Sequence, residues 1–159
     1  MTTVWLFVLL TLANGAPVIA ARLLRQRWSA PIDNGRLWRD GRPLLGKSKT
    51  WRGLVAGILA CALVAPIAGL SVGFGVAFGA LALLGDLLSS FAKRRMGLAA
   101  SARAAGLDQL PESTLPVVFA WAWLPIQVWQ AVAVVVLFVA TNVLLSPLLF
   151  RLGIRKQPH

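Results

Sequence analysis

Five carboxylates stand among sixteen lysines and arginines in this chain of 159 residues, and one of them lies where a carboxylate is costly. Asp86 is the only charged residue between Gly53 and Ala92. An aspartate inside an apolar run is unfavourable unless hydrated, paired or bound to a cation, which makes it a functional candidate by default. On a helix turning about 100° per residue, Asp86, Ser90, Lys93 and Arg94 at i, i+4, i+7 and i+8 share one side. That side carries a carboxylate, a hydroxyl, an ammonium and a guanidinium. A carboxylate can hold a divalent cation while a basic pair neutralises phosphate oxygens, so the set suits a metal–phosphate ligand. Two plainer roles compete. Asp86 could be a structural partner for Arg94 or another basic residue, and Lys93-Arg94-Arg95 alone could be a stop signal at a membrane surface.

Asp108 and Glu112 form a second acidic pair. Pro111 between them suits the first turn of a helix, where negative charge is favoured. Glu112 could do no more than complement the helix dipole. With Asp86 close in space, the two would complete a carboxylate cluster for one or two Mg²⁺ ions, which take oxygen ligands and phosphate substrates. Softer donors are scarce, with one cysteine, Cys61, and one histidine, His159. A third component is the glycine-containing loop with Lys47, Lys49 and Arg52, able to grip phosphates or simply to be a positive loop. Gly41 to Ser48 matches the bare G-x-x-x-x-G-K-S spacing. A phosphate-binding loop of that kind needs a buried strand before it, and none is expected here.

These residues must be positioned by membrane helices. The chain is 58% hydrophobic and 13% charged, with mean hydropathy +0.74. A soluble domain carries about 25% charged residues. An ordinary soluble globule, a disordered tail and a coiled coil are excluded. A net charge of +11 would suggest nucleic acid in a soluble protein. Here the charge is confined to particular stretches, and no nucleic-acid partner is expected.

Residues 1–21 carry no side-chain charge. A basic loop runs from Arg22 to Arg52, relieved only by Asp33 and Asp40. Lys93 to Ser113 is again charged, Thr114 to Phe150 is not, and the tail holds Arg151, Arg155 and Lys156. About 20 apolar residues cross a bilayer. One span fits in 1–21, two in 53–92 and two short ones in 114–150. The expectation is an all-α polytopic protein, one transmembrane domain over 1–159, with about five spans. Barrel strands would alternate apolar with polar, and these runs do not. Lysine and arginine mark the cytoplasmic side. Both basic loops and the tail then share one face, giving N-out, C-in in the cell membrane. The fourth span is short. A re-entrant hairpin is its alternative, and Trp121, Trp123 and Trp129 around Pro125 suit an interfacial belt. Residues 1–21 could also be a cleaved signal, but the basic charge follows the apolar run, which favours an anchor. The spacings Gly53–Gly57, Gly69–Gly73 and Gly75–Gly79 suit close helix pairing, within the chain or in a homodimer.

Three blocks resemble the CDP-archaeol synthase family, within the wider CTP-dependent phosphatidate cytidylyltransferase superfamily. They are Pro31-Ile-Asp-Asn-Gly35 with Asp40-Gly-Arg42 and Lys49-Thr-Trp-Arg-Gly53, then Gly85-Asp-Leu-Leu-Ser-Ser-Phe-Ala-Lys-Arg-Arg95, then Leu107-Asp-Gln109. Asn142 and Leu152-Gly-Ile-Arg155 resemble the family's ending. The resemblance implies five membrane helices and transfer of a cytidylyl group from CTP to a lipid phosphate, with diphosphate leaving. It implies Asp86, Lys93 and Asp108 as catalytic. Substrate binding falls to Lys49, Arg52, Ser90, Arg94, Asp33 and Asp40. Mg²⁺ or Mn²⁺ would sit on Asp86, Asp108 and Glu112.

A CDP-alcohol phosphotransferase would use similar substrates but needs D-G-x-x-A-R and then G-x-x-x-D-x-x-x-D, and Asp40-Gly-Arg42 does not continue that way. A non-catalytic membrane protein, such as a small transporter or assembly factor, would use the acids for helix pairing or proton relay. An inactive family member is a further alternative.

Overall fold

In the computed structural model the chain is described over residues 1–98 and 108–151, with side chains to Leu144. Arg103, Leu107, Leu152, Arg155, Lys156 and His159 lie outside the described residues, as does the side chain of Arg151.

Five α-helices follow in order: α1 (Thr2–Leu24), α2 (Trp51–Val64), α3 (Val72–Arg95), α4 (Gln109–Trp123) and α5 (Val128–Arg151). A 3₁₀ turn, Ala65–Ala68, extends α2. Local chemistry sets several of the boundaries. Thr50 caps α2 by accepting from Gly53 N–H, and Ser71 caps α3 by accepting from Phe74 N–H. Pro66 opens the 3₁₀ turn and Gly69 closes it at φ 75°, in the left-handed region that glycine occupies without strain.

The core is built from one stripe per helix. On α1 it is Leu6, Leu9, Leu10 and Ala13, at the i, i+3, i+4, i+7 spacing of a helical face. Phe74, Phe78 and Ala82 of α3, Val117 and Ala120 of α4, and Val134 and Phe138 of α5 meet it. The small residues act inside the chain. A Cβ on Gly57 would lie 2.7 Å from Ala13 O, one on Gly75 2.5 Å from Cys61 O, and one on Gly79 3.1 Å from Ile58 Cα. These three glycines therefore pack α2 and α3 against their neighbours, and their faces are spent within one chain. Gly69 has no such neighbour, and Gly73 meets only Ser71 Oγ, at 3.9 Å.

The distribution of polarity is that of a membrane protein. Val55, Leu59, Leu63 and Ile67 form an exposed apolar stripe along α2 and its 3₁₀ extension, while Ser89, Ser90, Lys93, Arg94, Glu112 and Ser113 are buried. In hydrocarbon, apolar side chains face out at no cost and polar ones must be covered.

Of the about five spans expected, three are met by length and composition. Among the described residues, three helices are long and apolar enough to cross a membrane: Thr2–Leu24, Trp51–Ala68 and Val72–Arg95. Of α5, Val128–Leu144 counts as a shorter apolar helix. With 15 residues, α4 is shorter still. At 1.5 Å per residue that is about 22 Å, against ~30 Å of hydrocarbon. It starts beside Asp108 and stops at Leu124, ahead of Pro125, whose ring disfavours helix in the residue before it.

Candidate functional site

The polar stripe of α3 forms as its spacing predicts, and it faces inward. Ser90 is 3% exposed, Arg94 7% and Lys93 9%. Gly85 brings α4 onto this stripe. A Cβ there would lie 2.2 Å from Pro111 O and 2.6 Å from Glu112 Cα, so no other residue allows the two backbones so close. The crossing sets Glu112 and Ser113, both buried, beside the helix turn that carries Asp86. Ser113 Oγ satisfies itself on Gln109 O at 2.6 Å, and Ser89 Oγ on Asp86 O at 2.9 Å.

Two ion pairs occupy the site. Lys49 Nζ stands 2.5 Å from Asp86 Oδ2, and Lys93 Nζ 2.5 Å from Asp108 Oδ1. Both carboxylates keep about a quarter of their surface, 25% for Asp86 and 26% for Asp108. Neither carboxylate is sealed off. The partner of Asp86 is thus Lys49 from the preceding loop, not Arg94 about two helix turns below.

This arrangement corrects the expected metal cluster. Asp86, Asp108 and Glu112 do not converge: among the described residues no group of three or more His, Cys, Asp or Glu could hold a metal ion. The reason is electrostatic. Carboxylates brought together without a cation repel, whereas Asp86 and Asp108 each have an ammonium beside them. The donor set still fits Mg²⁺ or Mn²⁺ delivered with a nucleotide. Mg²⁺ commonly uses one or two carboxylates plus substrate phosphates rather than an all-protein cage.

The loop before α2 is folded around Asp33. Its Oδ1 accepts Gly35 N–H at 3.0 Å, and its Oδ2 accepts Leu45 and Gly46 N–H at 2.9 and 3.0 Å. Burial pushes the Asp33 carboxyl up, but the bonds from Gly46, Leu45 and Gly35 outweigh it and hold it below its ordinary value. Partial desolvation also raises Asp40, yet the Arg42 N–H and the Arg95 guanidinium bring it below its ordinary value. An isolated bridge pairs Pro31 with Thr50, and another pairs Leu37 with Pro43. The Gly46-Lys47-Ser48 segment follows no strand, and its glycine N–H serves Asp33, so it is not a phosphate-binding loop of the strand–helix kind.

Lys49, Asp86, Ser90, Lys93, Arg94, Asp108 and Glu112 therefore gather where α3 meets α4 and the first loop. The rest of the expected set lies apart from them. Arg52 Nη1 donates to Arg25 O at 2.5 Å and Arg27 O at 2.8 Å, tying the exit of α1 to α2. Asp33 organises the loop, and Asp40 pairs with Arg95. The sequence reading took Arg95 only as the end of a basic triplet and of a family block, and gave no role to it or to the rings of Trp38 and Phe91 around it. The available signal was weak: an aromatic four residues before the last arginine of a basic triplet.

Comparison with known proteins gives a consistent picture. The family model for CDP-archaeol synthase (CarS-like) matches residues 1–77 and 67–159. The CDP-archaeol synthase of Thermococcus kodakarensis is 40% identical over 67% of this chain and 65% of its own length. That of Hyperthermus butylicus is 44% identical over 62% of this chain and 59% of its own. The chain thus spans a little under two thirds of the length of these two relatives. The Aeropyrum pernix CDP-archaeol synthase is 34% identical over 92% of this chain and 85% of its own length. A solved intramembrane enzyme for archaeal membrane lipid biosynthesis superposes with TM-score 0.69 at 34% identity, covering 88% of this chain and 92% of that one.

Proposed function

The chain belongs to the CDP-archaeol synthase family, and from that premise we propose that it transfers a cytidylyl group from CTP to a membrane lipid phosphate, giving a CDP-lipid and diphosphate. The observation that carries this reading is the pairing of Lys49 with Asp86 and Lys93 with Asp108 along one inward face of α3. Two carboxylates and two ammonium groups, with a buried guanidinium and hydroxyl beside them, match a nucleoside triphosphate and its divalent cation.

In the proposed reaction an oxygen of the lipid phosphate attacks the α-phosphorus of CTP. The bond from the α-phosphorus to the bridging oxygen breaks, and diphosphate leaves with that oxygen. Such in-line displacement needs positioning and charge neutralisation rather than a covalent nucleophile. Lys93 and Arg94 hold phosphate oxygens from α3, and Ser90 donates a hydrogen bond. Lys49 leaves Asp86 for the triphosphate, which offers more charge than one carboxylate. Asp86 and Asp108, released from their lysines, would hold Mg²⁺ or Mn²⁺ together with the phosphates of the nucleotide. The metal, when bound, neutralises charge on the attacking and leaving oxygens. Arg52, Asp33 and Asp40 shape the loop that delivers Lys49.

CTP is water-soluble, so the site opens to the cytoplasm and the orientation is N-out, C-in. The basic loops then lie inside, in keeping with the positive-inside rule. In this arrangement α4 runs from the cytoplasmic site to the tryptophan belt of Trp121 and Trp123, and α5 returns. The lipid enters laterally from the bilayer. A homodimer would have to use a surface other than the faces of Gly57, Gly75 and Gly79.

The test is incorporation of labelled CTP into lipid by purified protein with Mg²⁺ and a panel of lipid phosphates: phosphatidate, an ether-linked analogue and a polyprenyl phosphate. Transfer to one acceptor, abolished by EDTA and by Asp86→Asn, is the expected result. No transfer to any acceptor, with no thermal shift on adding CTP and Mg²⁺, would leave the ion pairs as helix-pairing groups of a non-catalytic protein.

A further inference from the structure

We propose that Arg95 is a positioning residue: it latches the loop around Leu37–Pro43 onto the end of α3 and so sets the reach of Lys49 towards the phosphates of a nucleotide. The proposal rests on the nucleotide reading above but concerns a residue outside the ion-pair cluster.

The latch is made of three kinds of contact on one guanidinium. Arg95 Nη1 forms an ion pair with Asp40 Oδ1. Its Nη2 donates to Pro43 O at 2.6 Å and more weakly to Arg42 O at 3.4 Å. Its carbon lies 5.8 Å from the Trp38 ring centroid and 5.1 Å from that of Phe91. Those rings meet edge to face at 5.4 Å and 84°, closing the cage from the loop side and the helix side. In return Arg42 Nη1 donates to Arg95 O at 2.7 Å. Such a planar fork serves a carboxylate and two carbonyls while stacking on rings, and a lysine cannot reproduce it.

The loop is built to transmit this grip. Trp38 N–H to Arg42 O at 2.8 Å and Gly41 N–H to Trp38 O at 2.9 Å make a tight turn, with Gly41 at φ 74°. Asp40 completes it by accepting Arg42 N–H at 3.1 Å. Beyond the turn, Leu45 and Gly46 are held by Asp33, and Lys49 N–H bonds Gly46 O at 3.2 Å. The loop is therefore pinned to α3 at two places, through Asp40 on Arg95 and through Lys49 on Asp86. When a nucleotide draws Lys49 away from Asp86, the Arg95 contact still holds the loop in place. Without it, the ammonium would have to be ordered anew for each nucleotide bound, a cost that falls on affinity.

The experiment uses the full chain in lipid nanodiscs, with Arg95→Ala, Arg95→Lys, Asp40→Ala and the double variant. One readout is KM for CTP against kcat. The other is the acylation rate of Lys49 by an amine-reactive ester, followed by mass spectrometry with exposed Lys47 as internal reference. Arg95→Ala is expected to raise KM about tenfold with kcat within about twofold. Lys49 acylation should accelerate by a similar factor relative to Lys47. Arg95→Lys should behave like Arg95→Ala, because charge without the fork does not restore the latch. The double variant should be no worse than Arg95→Ala, the non-additivity expected of one shared contact. Unchanged KM and unchanged Lys49 reactivity in Arg95→Ala, or additive effects in the double variant, would overturn the proposal. Should Arg95→Ala lose its helical content, Asp40→Ala and Trp38→Ala put the same question from the loop side. If the wild-type chain transfers no cytidylyl group, the nucleotide reading falls, while the Lys49 acylation rates still decide whether the latch exists.

Discussion

The two halves of α3 bury different chemistry with the same steric device. From Val72 to Leu83 the buried face is Phe74, Gly75, Phe78, Gly79, Ala82 and Leu83. From Gly85 to Arg95 it is Gly85, Ser89, Ser90, Lys93 and Arg94. In the first half, Gly75 and Gly79 admit the backbone of α2 and the Phe74 ring stacks on Phe78 at 5.8 Å. In the second, Gly85 admits the backbone of α4 at Pro111 and Glu112. Close approach in the first half gains dispersion contact. In the second it places a carboxylate, hydroxyls and cations where water is scarce and electrostatics are strong. The first half is expected to determine stability and the second activity.

The largest effect that could break this division is at Asp86. Asp86→Asn should lower cytidylyl transfer on the order of 10³-fold while leaving helicity unchanged, because in the proposed reaction a charge that faces the phosphates is lost and the fold keeps its shape. Full activity in that variant would remove the central assignment. Lys49→Ala should follow at about 10²-fold, read as labelled CTP incorporated per minute. A loss of thermal stability without loss of rate would make its ion pair merely structural.

The glycines sharpen the comparison. Gly75→Ala forces a Cβ to 2.5 Å from Cys61 O. It should cost about 1–3 kcal/mol of stability, seen as a lower melting temperature in detergent, with KM for CTP unchanged in the folded fraction. Gly85→Ala, at 2.2 Å from Pro111 O, should cost at least as much and also reduce transfer, because it pushes α4 off the site. Equal behaviour of the two variants would erase the distinction. Gly73→Ala meets only Ser71 Oγ, at 3.9 Å. It should stabilise slightly, by about 0.5–1 kcal/mol, through helix propensity.

The smallest effect is the acid limb. Asp33 has its folded carboxyl below the ordinary 3.8, so the unfolded chain binds the extra proton. The stability it contributes is whole above about pH 4 and is lost as the pH falls through the folded value. Thermal melts should show this decline in the wild type and a flatter one in Asp33→Asn. Raising the pH from neutrality should change nothing through this group.

Much of this was legible residue by residue. The uncharged run 1–21 announced α1, Thr2–Leu24, and the single charge between Gly53 and Ala92 announced two helices with Asp86 near the end of the second. The face shared by Asp86, Ser90, Lys93 and Arg94 followed from helical periodicity alone. The fourth helix was the weak point, because Pro125 and the acids at its start leave only 15 residues. The glycine spacings indicated packing but not the partner: Gly57 and Gly75 turned out to face backbone of their own chain.

Periodicity, capping and the sign of charged loops are local properties of the chain. The sequence alone therefore determined a helical membrane protein with a carboxylate inside an apolar run, ahead of a basic triplet. Pairings across the chain depend on where a folded loop comes to rest, and only the tertiary structure decided them. Lys49 lies 37 residues from Asp86, and Arg95 lies 55 from Asp40. No spacing rule reaches that far. The turn around Asp33 and the crossing at Gly85 bring these charges together, and the cost of burying a charge without an opposite one beside it holds them there.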